Sequence, residues 1–242
     1  YDAKDSTSID WQKNHLPKKK SLFKIGVPWH LFNKGVDPEV MDNFKKSIKG
    51  LEKEGCKIVD IELPYSKYSL ETYYIIMPAE VSTNLSRYDG IRYGLSAEGS
   101  DLLEVYKRSR GKGFGKEARR RILLGTYVLS HGYYDAYYGK AQKVRGLIRS
   151  DFTKAFENVD AILTPTAPTT AFKIGEKVDD PLAMYLSDVF TTPASLAGLP
   201  AISIPIKKYE IGGGELPVGF QLIGKRFRER DILGVGQIYE SR

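Results

Sequence analysis

The sequence has one cysteine, three histidines and no long apolar run, and each shortage excludes a class of protein. A single cysteine, Cys56, cannot form an intrachain disulfide, and we expect a buried, inert thiol there. The residues His15, His30 and His131 lie far apart in the sequence and belong to no recognisable metal-binding motif. No stretch approaches the roughly 20 apolar residues that are needed to cross a bilayer. The sequence therefore predicts no internal disulfide, no bound metal and no membrane contact.

Motifs for phosphate binding and for nucleophilic serines are missing as well. The glycines of residues 111–116 lack the spacing of a nucleotide-binding loop, and those of residues 212–214 precede a strand. No Gly-x-Ser-x-Gly motif occurs, and no serine has a histidine or lysine nearby in a recognisable arrangement. We therefore expect both glycine-rich segments to be flexible loops, and we assign no catalytic residue to this chain.

What is present is an ordinary globular composition with a basic balance. The 242 residues are 41% hydrophobic and 28% charged, with a net charge of +7, which fits one large domain or two small ones. Because no repeat or shift in composition marks a boundary, we predict one domain over residues 1–242, with residues 1–20 as a linker or leading loop. The chain starts without Met, so we expect a fragment or a processed chain. Basic residues cluster at 18–20, 107–110, 119–121 and 225–230, either as a solvated face or as a contact for a polyanion such as RNA.

The first third of the chain has the pattern of a strand–helix–strand unit. Residues 22–27 predict a strand, and residues 56–63 alternate as a second strand. Between them, Asp37 and Pro38 are the starting signals of a helix that we expect to end near Gly55. This order predicts an α/β fold, a sheet covered by helices. Further patterns predict helices over 68–86, 102–107, 116–129, 136–157 and 229–241, and strands over 160–163, 201–205 and 217–223.

Two charged residues stand out from this background. Asp188 lies in the apolar, small-residue segment 181–205, where a carboxylate is costly to desolvate without a partner. We expect that partner to be either a protein group or the ammonium of a ligand. Arg121 ends a run of three arginines and lies nearest the apolar face of its predicted helix.

At that position Arg121 either binds a ligand's carboxylate or pairs with a surface Asp or Glu. An arginine for a carboxylate and an aspartate for an ammonium would together form a receptor for a free amino acid. The sequence alone does not bring Arg121 and Asp188 together in space.

Longer strings point to a family. The most specific are Arg-Tyr-Asp-Gly-x-Arg-Tyr-Gly at residues 87–94 and Gly-Tyr-Tyr-Asp-Ala-Tyr-Tyr at residues 132–138. Others span residues 5–8, 79–86, 120–127, 163–168, 187–205 and 216–224. Together they resemble the amidase signature family, and within it the C-terminal half of the A subunits of glutamyl-tRNA(Gln)/aspartyl-tRNA(Asn) amidotransferases. The resemblance covers essentially the whole chain.

The resemblance implies a mixed sheet with helices on both faces, present here as an incomplete half. It implies hydrolysis of glutamine to glutamate and ammonia by a Ser–cis-Ser–Lys triad that lies outside this chain. In the substrate pocket it implies Arg121 for the α-carboxylate of glutamine, Asp188 for its α-ammonium, and Tyr74 or its neighbour Tyr73 in the wall.

The resemblance also implies partners. A cytoplasmic heterotrimer with B and C subunits would use the ammonia to amidate misacylated tRNA. The B subunit would contact most of the tRNA and would use ATP and Mg, and no cofactor is implied for the chain described here. Two alternatives stay open: a stand-alone amidase of the same family, and a non-catalytic fragment that binds tRNA or a protein partner.

Overall fold

The computed structural model of the chain describes residues 1–6, 8–10, 22–32, 35–177, 180–206, 210–211 and 214–241. The lysines at 18–20, most of the predicted leading loop, Thr7, His15 and the glycines at 212–213 lie outside these residues. The chain divides into two compact units, of which the first comprises Tyr1–Leu70 with Gly146–Arg242 and the second Glu71–Arg145. One domain over the whole chain therefore stays a prediction.

The first unit is built on a mixed sheet of five strands. These are β1 (Lys24–Val27), β2 (Lys57–Asp60), β3 (Ala161–Pro165), β4 (Ala201–Ile206) and β7 (Val218–Gly224), in the order β2-β1-β3-β7-β4. A separate two-stranded sheet joins β5 (Glu210–Ile211) to β6 (Gly214–Glu215). Strand β1 pairs in parallel with β2 and β3, whereas β7 pairs antiparallel with β3 and β4. The predicted mixed sheet is confirmed.

Helix α1 (Pro38–Lys53) joins β1 to β2 and confirms the strand–helix–strand prediction. The Asp37 carboxylate accepts a hydrogen bond from the Glu39 amide over 2.9 Å, which satisfies one of the unpaired donors of the first turn. Beyond the helix, Gly55 has a φ of +89°, a left-handed conformation that glycine adopts without strain.

Helices cover both faces of the sheet. Helix α1 and the C-terminal helix α8 (Glu229–Glu240) pack on one face, against a core that includes Leu163, Phe220 and Leu222. Side chains alternate along a strand, so Thr164 and Ile223 point to the opposite face. There they line a cavity together with Phe152 of α5 (Lys140–Ala155).

Two six-residue helices, α6 (Pro181–Leu186) and α7 (Thr192–Ala197), lie in a segment for which the sequence predicted no helix. Helix α6 has the same starting signal as α1, because the Asp180 carboxylate accepts from the Ala183 amide over 3.0 Å and proline follows. Helix α7 ends at Gly198, whose φ is +70°. Five residues lie between these helices: Thr191 is the N-cap of α7, and the other four form the turn 187–190.

The second unit is helical. It contains most of α2 (Ser69–Asn84), then α3 (Leu102–Gly113), α4 (Lys116–Val128), a π-helical segment (Tyr134–Gly139) and the start of α5. Helices α2 and α4 cross closely where Gly125 faces the Pro78 carbonyl. The sequence predicts one long helix over 136–157, whereas the structure has the π-helical segment followed by α5. No helix among the described residues is long and apolar enough to cross a membrane.

Helix α3 corrects two predictions. The sequence predicted a helix only over 102–107 and a flexible loop over 111–116, but the helix continues to Gly113. Tertiary hydrogen bonds stabilise the last turns of this helix. The Arg110 guanidinium donates hydrogen bonds of 3.3 to 3.4 Å to the carbonyl oxygens of residues 85, 86 and 88. A helical glycine costs only about 1 kcal/mol, and such contacts can outweigh that cost.

Candidate functional site

Asp188 lies in the turn 187–190 of the first unit. The Asp188 carbonyl accepts hydrogen bonds from the amides of Thr191 (3.1 Å) and Thr192 (3.0 Å), which fixes the turn to the start of α7. The Asp188 side chain is exposed, and its carboxylate has no hydrogen bond or ion pair with any described residue of this unit. The described residues of the first unit thus give the carboxylate no protein partner, and the alternative partner, the ammonium of a ligand, stays a prediction.

The turn 187–190 contributes to two cavities of the first unit. Ser187 lines a cavity of about 260 Å³ whose wall also holds the hydroxyls of Thr166 and Ser203, which lie 2.8 Å apart. Val189 and Phe190 line a second, mainly apolar cavity of about 230 Å³. Residues next to Asp188 therefore line two cavities, of which the first has several hydroxyl groups in its wall.

Arg121 lies on α4 of the second unit, packed against α2. Its Nε donates to Oε1 of Glu117 over 2.7 Å, and its Nη1 lies 3.3 Å from the sulfur of Met77. The guanidinium carbon is 5.8 Å from the centre of the Tyr74 ring, within cation–π range. Burial acts to lower the pKa of Arg121, but the Glu117 carboxylate together with Tyr74 and Tyr73 outweighs burial, and the pKa is raised.

The structure distinguishes Arg121 from its two neighbours. The Arg119 side chain is exposed, and Arg120 donates from Nη1 to the other oxygen of Glu117 over 2.8 Å. Arg121 is 28% exposed, and its Nη2 has no hydrogen bond to any described residue of the second unit. The sequence left open a surface ion pair for Arg121, and Glu117 forms one while leaving part of the guanidinium for a second acceptor.

Tyr74 also belongs to this arrangement. Its ring packs edge-on against that of Tyr73, with centres 5.2 Å apart, and both tyrosines are half-buried on α2. The predicted residues Arg121 and Tyr74 are thus brought together within the second unit. Asp188 belongs to the first unit, so its joint action with Arg121 on one ligand stays a prediction.

A metal site needs several His, Cys, Asp or Glu side chains close together. No group of three or more His, Cys, Asp or Glu side chains among the described residues is placed to hold a metal ion. Nε2 of His30 accepts from the Leu63 amide over 3.3 Å, and its Nδ1 lies 3.3 Å from the Glu62 carboxylate. Cys56 is 5% exposed, which confirms the buried thiol, and burial raises its pKa.

Several residues of the basic clusters are used within the protein. Arg108 pairs with Glu104 over 2.6 Å, and Arg228 donates two hydrogen bonds to Asp231, of 2.9 and 3.2 Å. With Arg110 bound to backbone carbonyls, these three arginines have structural partners. The solvated-face interpretation fits them better than a dedicated polyanion contact.

The sequence profile described as "Amidase" matches residues 1–233. The chain belongs to the amidase family. This membership confirms the family resemblance that the sequence motifs indicated. The matched residues include both units of the fold.

Curated members of the family are closely similar over the whole chain. A protein from Thermodesulfovibrio yellowstonii, named as the A subunit of glutamyl-tRNA(Gln) amidotransferase, is 54% identical over 245 residues, covering 100% of this chain and 50% of that protein. The protein of the same name from Persephonella marina is 55% identical over 239 residues, covering 97% of this chain and 48% of that protein. The chain thus spans about half the length of these amidase-family relatives.

Solved structures support the family fold. The crystal structure of the A subunit of glutamyl-tRNA(Gln) amidotransferase from Thermotoga maritima matches with a TM-score of 0.67 and 40% identity, covering 91% of this chain and 42% of that one. A structure described as an amidase matches with a TM-score of 0.69 at 22% identity, covering 90% of this chain and 45% of that one. At that identity, the second match shows the amidase fold alone.

Proposed function

We propose that this amidase-family chain is part of the glutamine-hydrolysing A subunit of a tRNA-dependent amidotransferase. The observation that carries the proposal is the identity of 54% and 55%, over essentially the whole chain, to proteins named as such subunits. In the proposed reaction, water cleaves the C–N bond of the glutamine side-chain amide. The products are glutamate and ammonia, and the ammonia serves to amidate glutamate or aspartate on a misacylated tRNA.

In this proposal the chain supplies substrate binding. Arg121 binds the α-carboxylate of glutamine, for which its Nη2 has donors available, and Tyr74 forms part of the wall beside the guanidinium. Asp188 binds the α-ammonium with a carboxylate that is open to a ligand. The two charges complement the zwitterion of a free amino acid, which supports glutamine over a simple amide.

The proposed nucleophile lies outside this chain. A serine, activated through a bridging cis-serine by a lysine, forms the acyl-enzyme and releases ammonia, and water then releases glutamate. The B and C subunits complete a cytoplasmic heterotrimer, in which the B subunit holds ATP and Mg and contacts most of the tRNA. This part rests on the sequence resemblance and on the names of the relatives.

The proposal is tested in the full-length protein assembled with its partner subunits, by measuring glutamate release from L-glutamine. Asp188→Asn keeps the shape of the side chain and removes its charge. We expect the KM for glutamine to rise about tenfold or more, equivalent to about 1.4 kcal/mol of lost binding. The matched control is Glu157→Gln, which removes an exposed charge elsewhere in the first unit and should leave KM unchanged. An unchanged KM in Asp188→Asn would refute the proposed role.

A further inference from the structure

We propose that Gln221 and Lys177 are positioning residues that fix the carboxylate of Asp188 from both sides of the turn 187–190. The inference rests on the proposed function, because it concerns how the glutamine ammonium is held. Neither residue needs to contact the substrate. Each holds a residue of the turn through a side-chain hydrogen bond, Gln221 from 31 residues away and Lys177 from 10.

Gln221 holds the turn after Asp188. It lies on β7, and its side chain is 4% exposed. Its Nε2 donates to the Phe190 carbonyl over 2.8 Å and to Oγ1 of Thr164 over 3.0 Å, so both hydrogens of the amide are used. A buried amide needs such partners, and here one of them ties the turn to the central part of the sheet.

Lys177 holds the turn before Asp188. Its Nζ donates to Oγ of Ser187 over 3.1 Å and lies 4.4 Å from the centre of the Phe172 ring. The ammonium is thus held between a hydroxyl and an aromatic face. Since Phe172 and Ser187 both line the cavity of about 260 Å³, Lys177 connects the wall of that cavity to the residue that precedes Asp188.

These two tethers matter because, among the described residues, the other hydrogen bonds of the turn are local. The Asp188 amide donates to the Tyr185 carbonyl, and its carbonyl accepts from residues 191 and 192, all within four residues. Local bonds preserve the shape of the turn but do not fix it to the sheet. A displacement of about 1 Å can cost on the order of a hundredfold in activity, so these two side-chain tethers set where the carboxylate meets its ligand.

The test uses the full-length protein with its partner subunits and two ligands. L-Glutamine carries the α-ammonium, whereas glutaramate, its desamino analogue, keeps the amide and the carboxylate but lacks the ammonium. The variants Lys177→Met and Gln221→Met each remove a donor and keep an unbranched side chain. We expect each to raise the KM for glutamine about tenfold with kcat within about twofold, and to leave the KM or Ki of glutaramate unchanged.

Rescue and coupling separate positioning from general stability. Lys177→Arg keeps a cationic donor and should retain the wild-type KM for glutamine. In combination with Asp188→Asn, neither Met variant should raise the KM for glutamine further, because the group that it positions is already lost. If Gln221→Met fails to fold, Lys177→Met, at a half-buried position near the surface, decides the matter.

Three outcomes would overturn the inference. If Asp188→Asn raises the KM for glutamine but Lys177→Met and Gln221→Met do not, the positioning roles fail and the proposed function stands. If the Met variants raise the KM for glutamine and the KM or Ki of glutaramate equally, the role of the two residues is structural and the inference is wrong. If Asp188→Asn itself leaves KM unchanged, the proposed function fails, and the inference fails with it.

Discussion

Glu117 orients Arg121 one helical turn away on α4, through a hydrogen bond of 2.7 Å from Nε to Oε1. The same carboxylate binds Arg120 with its other oxygen. Glu117 therefore fixes the Nε edge of the Arg121 guanidinium, and the second edge can bind a further carboxylate. Pairs at this spacing contribute only about 0.5 kcal/mol on a helix surface, so their value here is the orientation of a binding group.

The first prediction separates Arg121 from Arg119. Arg121→Met in the full-length protein should raise the KM for glutamine about tenfold or more, because a charge-assisted hydrogen bond to the α-carboxylate is lost. Arg119→Met, at an exposed position of the same helix, should leave KM within about twofold. Steady-state kinetics of glutamate release make the comparison, and equal effects of the two substitutions would remove Arg121 from the proposed pocket.

The second prediction concerns the crossing of α2 and α4. A Cβ on Gly125 would overlap the carbonyl of Pro78 and lie 2.8 Å from the Cβ of Ser82, so Gly125→Ala should destabilise the fold by about 1–3 kcal/mol. The control is Gly111→Ala on α3, where no atom approaches and the change should be neutral or stabilising by up to about 1 kcal/mol. Urea unfolding of both variants measures the difference, and an equally stable Gly125→Ala would contradict the close crossing.

The third prediction is a pH dependence at Asp151. Burial raises the pKa of this carboxyl above its ordinary 3.8, against the opposing effects of the Tyr65 amide, Lys154 and His30. A raised carboxyl pKa means that the folded state binds the proton more tightly, so this group costs stability above that pKa and less as the pH falls toward 3.8.

Asp151→Asn should therefore be more stable than the wild type at pH 7, since an amide oxygen can still accept from Tyr65. The difference between their unfolding temperatures should shrink as the pH is lowered toward 4. A gap that stays constant, or that widens on acidification, would show that the folded state does not raise this pKa.

The fourth prediction concerns the thiol of Cys56. Because it is buried and its pKa is raised, little thiolate forms at neutral pH. Iodoacetamide should leave the peptide that contains Cys56 unmodified in the folded protein and alkylate it fully in guanidinium chloride. Peptide mass mapping reads out the result, and rapid alkylation of the native protein would contradict the burial.

The sequence predicted those parts of the fold whose signals are local. Helix α1 was confirmed because its cap at Asp37, its Pro38 and the glycine after its end all lie within a few residues of the boundary. Helix α6 has the same Asp–Pro signal but was missed, because six residues are too short to show a helical period. The sequence predicts α3 too short, because the tertiary contacts of Arg110 that support its glycine-containing end are not local signals.

The candidate site shows the same limit. The partner of Arg121 could be predicted from the sequence, since Glu117 lies four residues before it on one helix. The contacts of Gln221 could not be predicted, because its partners Phe190 and Thr164 are 31 and 57 residues away, and it is the pairing of β3 with β7 that places Thr164 opposite it. The exposure of Asp188 also depends on a turn between two helices that are too short to show a helical period.

The most direct measurement of the central claim is the preference of the full-length protein for glutamine over glutaramate, taken as the ratio of kcat/KM values. If Asp188 binds the α-ammonium, the wild type should prefer glutamine by about tenfold or more, and Asp188→Asn should lose most of that preference by losing activity on glutamine alone. Equal preference in the wild type and in Asp188→Asn would contradict the account.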